Sequence, residues 1–274
     1  MVSKTASILL WIFAVIFTLT TAIYQRATGP TYPKKGKVEI AGQTYKFSML
    51  TSHGEKTDAP IRIKVPTNIN GLVKYRHFRS DEEWQGLNMK HNGEYLEAFL
   101  PLQPPAGKFE YMVSLEDDGK YYSLTEEPVV IRFKGPVPYI ILIPHVILMF
   151  LAMLFSTRTG IEAMAAGSRT YRYTVITVIT LGIGGMILGP VVQWYAFGDL
   201  WTGWPFGGDW TDNKTLFGFV FWLIAFFVLR KNPKNRLWPI VAFIVLLSIY
   251  MIPHSMGGSE LDYKTGQVTT GMKK

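Results

Sequence analysis

The sequence predicts a membrane α-helical protein, one N-terminal anchor helix plus a four-helix transmembrane bundle, with an all-β sandwich inserted between them. Three observations predict it. Long apolar runs flank a polar stretch on both sides. Hydrophobic residues make up 48% of the chain and charged residues 18%, the latter below the roughly 25% of soluble domains. Residues 25–135 read as short alternating segments punctuated by Pro and Gly, as strands and turns do. The organisation that follows is an anchor at 1–24, a β domain at 25–135, a bundle at 136–254 and a tail at 255–274.

A bilayer core takes about 20 mostly apolar residues per helix. Residues 6–24, 137–155, 173–197, 215–229 and 237–253 approach that length, the last two being the short ones. Arg158, Arg169 and Arg172 lie between the second and third runs, and Arg230, Lys231, Lys234 and Arg236 between the fourth and fifth. The connection 198–213 carries Asp199, Asp209 and Asp212 and no base. The positive-inside rule places both basic connections in the cytoplasm, so the β domain and the tail after His254 fall outside. The first run reads as a retained anchor, because its apolar character continues to Tyr24 and no A-x-A site occurs. A cleaved signal peptide is the alternative, and either reading leaves the β domain outside.

In the β domain, strands are expected at 38–40, 44–49, 61–65, 72–78, 84–89, 95–100, 109–115, 120–124 and 129–133. Residues 61–65 alternate apolar and polar with period two, the mark of a half-buried strand. Ala41-Gly42-Gln43 and Asp117-Asp118-Gly119 are hairpin signals. The stretch from Tyr75 to Trp84, then Gly93-Glu94-Tyr95, then Pro105-Ala106-Gly107-Lys108-Phe109-Glu110-Tyr111 resembles immunoglobulin and fibronectin-type sandwich modules. That resemblance implies an immunoglobulin-like fold and no particular function.

The net charge is +8, and several of the basic residues sit in short loops beside apolar runs. They form no basic stripe with interleaved aromatics, so nucleic acid is not expected as a partner. The chain has no cysteine, which removes disulfides, thiolate metal sites and Cys nucleophiles. His53, His77, His91, Met49, Met89 and Met112 are the soft donors of the β domain; Met89 and His91 are the one close pair, the histidine reads as turn-flanking and at the surface, the methionines as core, and no copper site is assigned. Gly185 and Gly189 match GxxxG, which points to close helix packing within the bundle or to dimerisation. No nucleophile elbow, P-loop, dinucleotide fingerprint, HExxH or EF-hand loop is present, and no catalytic residue is assigned.

The apolar run interiors carry no Asp, Glu, Lys or Arg, which speaks against a coupled transporter. His145 lies about 12 Å inside the second run at 1.5 Å per residue, and His254 ends the fifth. Both follow Ile-Pro. Facing histidines invite axial ligation of haem b, although their depths differ by roughly 10 Å. The richer pattern is on the outer side. Asp209, Asp212, His254, Glu260 and Asp262 form a candidate rim for a divalent metal, and Trp201, Trp204, Phe206 and Trp210 a candidate interaction surface. The structural alternative makes Asp212 a helix N-cap, the tryptophans an interfacial belt, and Gly257-Gly258 a helix stop.

The segments Pro-Phe-Gly-x-Asp-x-Thr-Asp-Asn-Lys-Thr-Leu at 205–216 and His-Ser-Met-Gly-Gly-Ser-Glu-Leu-Asp-Tyr at 254–263 resemble parts of bacterial inner-membrane proteins that carry no assigned activity. The resemblance implies a multi-pass inner-membrane location and no reaction. The sandwich, the aromatic outer loop and the lack of catalytic signatures lead instead to the expectation of an accessory or assembly component of an envelope or respiratory complex. It would dock a membrane or periplasmic protein through the sandwich and the Trp-rich loop, with the lipid bilayer as its other partner. A haem- or metal-binding redox bundle using His145 and His254 is the alternative, and a small-solute transporter a further one.

Overall fold

The computed structural model describes residues 3–253 and 257–270. The helices are α1 (Lys4–Thr28), α2 (Tyr139–Met164), α3 (Thr170–Leu181), α4 (Gly189–Phe197), α5 (Trp210–Lys231) and α6 (Leu237–Met251). A π-helical segment, Gly182–Leu188, joins α3 to α4, so Thr170–Phe197 is one continuous rod of 28 residues. Four helices are long and apolar enough to cross a membrane: α1, α2, this rod and α5. The chain is thus membrane-associated, and α6, at 15 residues, is a shorter apolar helix.

The chain forms two compact units. One comprises Met1–Pro30, Val137–Gly258 and Thr270–Lys274; the other comprises Thr31–Pro136 and Ser259–Thr269. In the helical unit, Ser3 caps α1 by accepting from the Ala6 amide at 3.1 Å. Ala152, Leu181, Trp222, Ala225, Ala242 and Leu246 form its buried apolar cluster. The glycines of the rod serve close packing. A Cβ on Gly184 would meet Leu148 Cβ at 2.8 Å, and one on Gly185 would meet Thr215 Cγ2 at 2.7 Å.

One expectation for this unit is corrected. Helix α2 does not stop at residue 155 but runs to Met164, so Arg158 lies inside a helix rather than in a loop. In that extension Arg158 and Glu162 are both buried. Their i,i+4 spacing puts the two groups on one face, where they pair at 2.7 Å.

The β unit contains β1 (Lys34–Ile40), β2 (Gln43–Met49), β3 (Ser52–His53), β4 (Ala59–Lys64), β5 (Asn70–His77), β6 (Gln85–Asn88), β7 (Lys90–Asn92), β8 (Tyr95–Leu100), β9 (Lys108–Asp117), β10 (Lys120–Ser123), β11 (Val129–Phe133), β12 (Glu260–Leu261) and β13 (Val268–Thr269). One sheet has the order β3-β11-β9-β5-β6, with β10 also on β9; another has β4-β8-β7; β1-β2 and β12-β13 are two-stranded ribbons. The strand expected at 84–89 stands as β6 at Gln85–Asn88, and a further short strand, β7 at Lys90–Asn92, follows it. The chain leaves β6 at Met89, whose side chain is buried and whose amide donates to Gly71 O at 2.8 Å, and continues in the other sheet as β7.

Period-two patterning builds the core. Phe109, Tyr111, Val113 and Leu115 of β9, Ile61 and Ile63 of β4, Leu96 and Leu100 of β8, and Ile131 and Phe133 of β11 share one apolar cluster. Burying each such side chain contributes about 1.5–3 kcal/mol. Both hairpin signals form tight two-residue turns: Ala41-Gly42 at φ +49° and +77°, and Asp118-Gly119 at φ +49° and +76°. Paired positive φ values are what a twisted two-residue hairpin demands.

Candidate functional site

The connection between α4 and α5 is a folded object. Gly198, at φ +91°, closes α4 by donating to Trp194 O at 2.8 Å. The chain then turns back on itself. Phe206 and Gly207 both donate to Gly203 O at 2.9 Å, and Asp209 donates to Thr202 O at 3.0 Å. The first turn of α5 receives the loop: Asp212 Oδ2 accepts from the Thr202 amide at 2.7 Å, and Asn213 Oδ1 from the Trp204 amide at 2.6 Å. Gln193 in α4 donates to Thr202 Oγ1 at 2.6 Å. Gly203 is required by proximity, because a Cβ there would sit 2.6 Å from Asp212 Cβ.

The capping residue of α5 is Asp209, not Asp212. Its carboxylate accepts from the Thr211 amide at 2.7 Å and the Asp212 amide at 3.5 Å. Asp212 lies one turn further in and holds the loop instead. Lys214 reaches the other end of the unit's chain, donating to Ile252 O at 3.4 Å and Pro253 O at 3.3 Å. Those carbonyls follow α6, where a cation is favourable.

With its polar groups bonded internally, the loop turns its aromatics outward. Trp204 is 70% exposed and Phe206 82%; Leu200 and Trp210 are also exposed, and Trp201 is half-buried with its indole donating to Trp204 O. Of the four expected interaction residues, three are open and Trp201 is partly committed to the loop. Asp209 and Asp212 are only 5% exposed.

The other half of the candidate rim belongs to the β unit. Ser259–Thr269 folds there as a short hairpin. Leu261 donates to Ala106 O at 3.0 Å, and Arg132 donates to Ser259 O at 2.8 Å. Glu260 pairs with Lys108 at 2.6 Å and with Arg79 at 3.7 Å. Burial lowers the Lys108 ammonium below its ordinary range, against the pull of Glu260. Asp262 accepts from the Lys264 and Thr265 amides and so shapes the hairpin turn. Tyr263 lies with its ring 3.9 Å from that of His77. Its hydroxyl accepts from the Lys108 amide at 2.9 Å and faces Gln103 Oε1 and Lys108 O, each at 3.2 Å, as acceptors. Burial pushes this phenol up to about 12.

Asp209 and Asp212 therefore stand in one unit, and Glu260 and Asp262 in the other. Among the described residues no group of three or more His, Asp or Glu side chains is arranged to hold a metal ion. His254 lies outside the described residues. Of the soft donors of the β unit, Met49 and Met89 are in the core, while Met112, expected there too, is half-buried and outside that cluster; His53 bonds Thr57 O, His77 bonds Glu82, and His91 bonds Ile69 O.

His145 is held in α2 by a bond from Nδ1 to Gly184 O at 2.9 Å. A carbonyl only accepts, so Nδ1 carries the proton and Nε2 the lone pair. Gly184 O belongs to the π-helical segment and also accepts the Gly189 amide. Such segments often sit at functional positions.

The arrangement that sequence reasoning missed is around Arg158. Its guanidinium carbon lies 5.5 Å from the Trp11 ring of α1 and 5.1 Å from the Tyr173 ring of α3. Glu162 Oε1 accepts the Arg169 amide at 3.1 Å. Two aromatics, a carboxylate and a helix-start amide thus compensate a charge buried among three helices. The Arg-x-x-x-Glu spacing was the available signal.

Compared with protein-family models, with curated proteins and with solved structures, the chain finds no match.

Proposed function

We propose that this protein is a multi-pass component of a bacterial inner membrane whose immunoglobulin-like outer domain and Trp-rich loop dock a membrane or periplasmic protein. It would serve as an accessory or assembly factor of an envelope or respiratory complex. The observation that carries the reading is the loop itself. Asp209, Asp212 and Asn213 spend their side chains on capping and on bonding the loop backbone, while Trp204 and Phe206 are left to the outside. A surface whose shape is held in advance loses little entropy on association, and exposed aromatics are preferred anchors for a partner.

The orders β4-β8-β7 and β11-β9-β5 support the immunoglobulin-like assignment, because they reproduce B-E-D and G-F-C. A parity argument supports the topology. Residues 259–269 fold into the unit that the chain leaves at residue 136, so the intervening chain makes an even number of crossings. Helix α2, the rod Thr170–Phe197, α5 and α6 supply four. At about 22 Å, α6 is short for a core of about 30 Å, a mismatch that local thinning absorbs. Arg169, Lys231, Lys234 and Arg236 then share the cytoplasmic side.

The test is purification of the full chain in mild detergent, wild type beside a Trp204→Ala/Phe206→Ala variant. A stoichiometric partner retained by the first and lost by the second is the expected result. A solitary wild-type monomer overturns the reading. Since the chain has no cysteine, single cysteines at Asp199 and Lys264 test the topology with an impermeant thiol reagent; labelling from opposite sides overturns it.

One observation favours a second reading, a haem- or metal-binding bundle. The Nδ1 bond of His145 to a backbone carbonyl is how proteins orient a histidine ligand. Purified protein with no Soret band and no stoichiometric metal overturns it.

A further inference from the structure

The β1-β2 ribbon has one face in the core and one in solvent. Val38 and Ile40 of β1 and Tyr45, Phe47 and Met49 of β2 point inward or pack against the core. Gly36 completes this face by lying flat on the Phe47 ring, where a Cβ would come within 2.9 Å of Cε2. The opposite face carries Lys35, Lys37 and Lys46, all exposed. The register sets Lys37 directly against Lys46. Like charges directly opposite are unfavourable in an antiparallel pair. The acidic group of that face, Glu39, is opposite Thr44, and among the described residues no ion pair involves Glu39, Lys34, Lys35, Lys37 or Lys46. Lys35 leans on Tyr32 instead.

Chain length limits where this charge can lie. Helix α1 ends at Thr28 and β1 begins at Lys34. Six residue steps reach at most about 20 Å, so the basic start of β1 cannot leave the neighbourhood of the membrane surface. Resting on the membrane reading above, we propose that Lys35, Lys37 and Lys46 form a binding surface for anionic phospholipid headgroups of the bilayer that α1 enters. Under that reading these lysines lie on the outer side, so the cytoplasmic bias of basic residues does not account for them. An anionic headgroup layer relieves the Lys37–Lys46 repulsion and is attracted by clustered lysines.

The experiment uses the full chain in nanodiscs of phosphatidylglycerol or of phosphatidylcholine. Lysines are labelled with an impermeant amine reagent and read by mass spectrometry, with Lys120, the exposed first residue of β10, as the internal control. Expected is labelling of Lys35, Lys37 and Lys46 at least about fivefold slower in phosphatidylglycerol, with Lys120 unchanged. Salt at 1 M, where the Debye length is about 3 Å, should abolish the difference. Equal rates in the two lipids overturn the site. So does protection in phosphatidylcholine that appears only on adding a soluble polyanion, which would assign the face to a soluble acidic partner. In right-side-out vesicles, Lys120 labelled from outside upholds the topology separately, so loss of the lipid effect with Lys120 accessible sinks this proposal alone.

Discussion

The loop between α4 and α5 and the tail hairpin have similar compositions and opposite uses. Each has carboxylates, aromatic character and turn-forming residues. In the loop the Asp209 carboxylate takes backbone amides at the start of α5, where a helix N-terminus supplies unpaired donors, and the Asp212 carboxylate takes the Thr202 amide of the loop itself. The polar groups are satisfied locally and the aromatics are released. The tail has no helix to lean on. Its Glu260 and Tyr263 find partners in Lys108, Arg79 and Gln103 of the β unit, so its aromatic ring is sealed against His77. Similar residues therefore make a display in one place and a latch in the other. The difference is where the hydrogen-bond donors come from.

Removing the latch should give the largest effect. A chain ending at Gly258 leaves the Lys108 ammonium, the Ala106 carbonyl and the Arg132 guanidinium without their tail partners. Each lost partner of a buried polar group costs about 1–3 kcal/mol, so the β unit should lose several. Hydrogen exchange should report this in β9 and β11 with no change in α5. Equal exchange in both chains would show that the tail is an ornament. In the loop, Gly203→Ala should cost about 1–3 kcal/mol by overpacking, since its Cβ would press on Asp212. Faster amide exchange at Thr202 and Trp204, with the β unit untouched, is the expected signature.

Alkaline pH should separate the two regions without mutation. The Tyr263 phenol is raised from 10.0 to about 12, so below pH 10 its contribution is fully present, and it is lost as pH rises through about 12. Lys108, lowered from 10.5 by burial, opposes this below its ordinary value. The release of the tail should therefore be steepest above that point. Absorbance of the ionising phenol and proteolysis after Lys264 should change together, whereas the loop should not respond. Asp209→Ala comes next. Loss of a cap costs about 1 kcal/mol, and the fraying should be confined to the first turn of α5.

Much of this is legible in the chain. Alternation at 109–115 and the pairs Ala41-Gly42 and Asp118-Gly119 are local codes, and strand and turns stand where those codes put them. The end of α2 is hidden from a reading by apolar runs, which break at the first charge; the helix continues because Glu162, one turn on, neutralises Arg158. Between Asp209 and Asp212, spacing cannot choose the cap, since either precedes an apolar stretch. The tail's docking has no local code at all: Arg132 and Lys108 lie 127 and 152 residues from the groups they hold. The π-helical segment is hidden for another reason, because glycines that permit it also read as packing positions.

The smallest stability effect is expected from the residues with the largest functional one. Trp204 joins the loop through its backbone, its amide donating to Asn213 and its carbonyl accepting from Trp201, and Phe206 does so through its amide. Truncating both side chains leaves those bonds in place. The Trp204→Ala/Phe206→Ala variant should thus change stability by no more than about 0.5 kcal/mol, as exposed substitutions do, and its melting temperature should match the wild type. A loss above about 1 kcal/mol would mean that the rings pack, and that the loop, like the tail, spends its aromatics on structure. Unchanged stability with a lost partner would leave the loop with one purpose, since a display is what remains when a side chain adds nothing to its own fold.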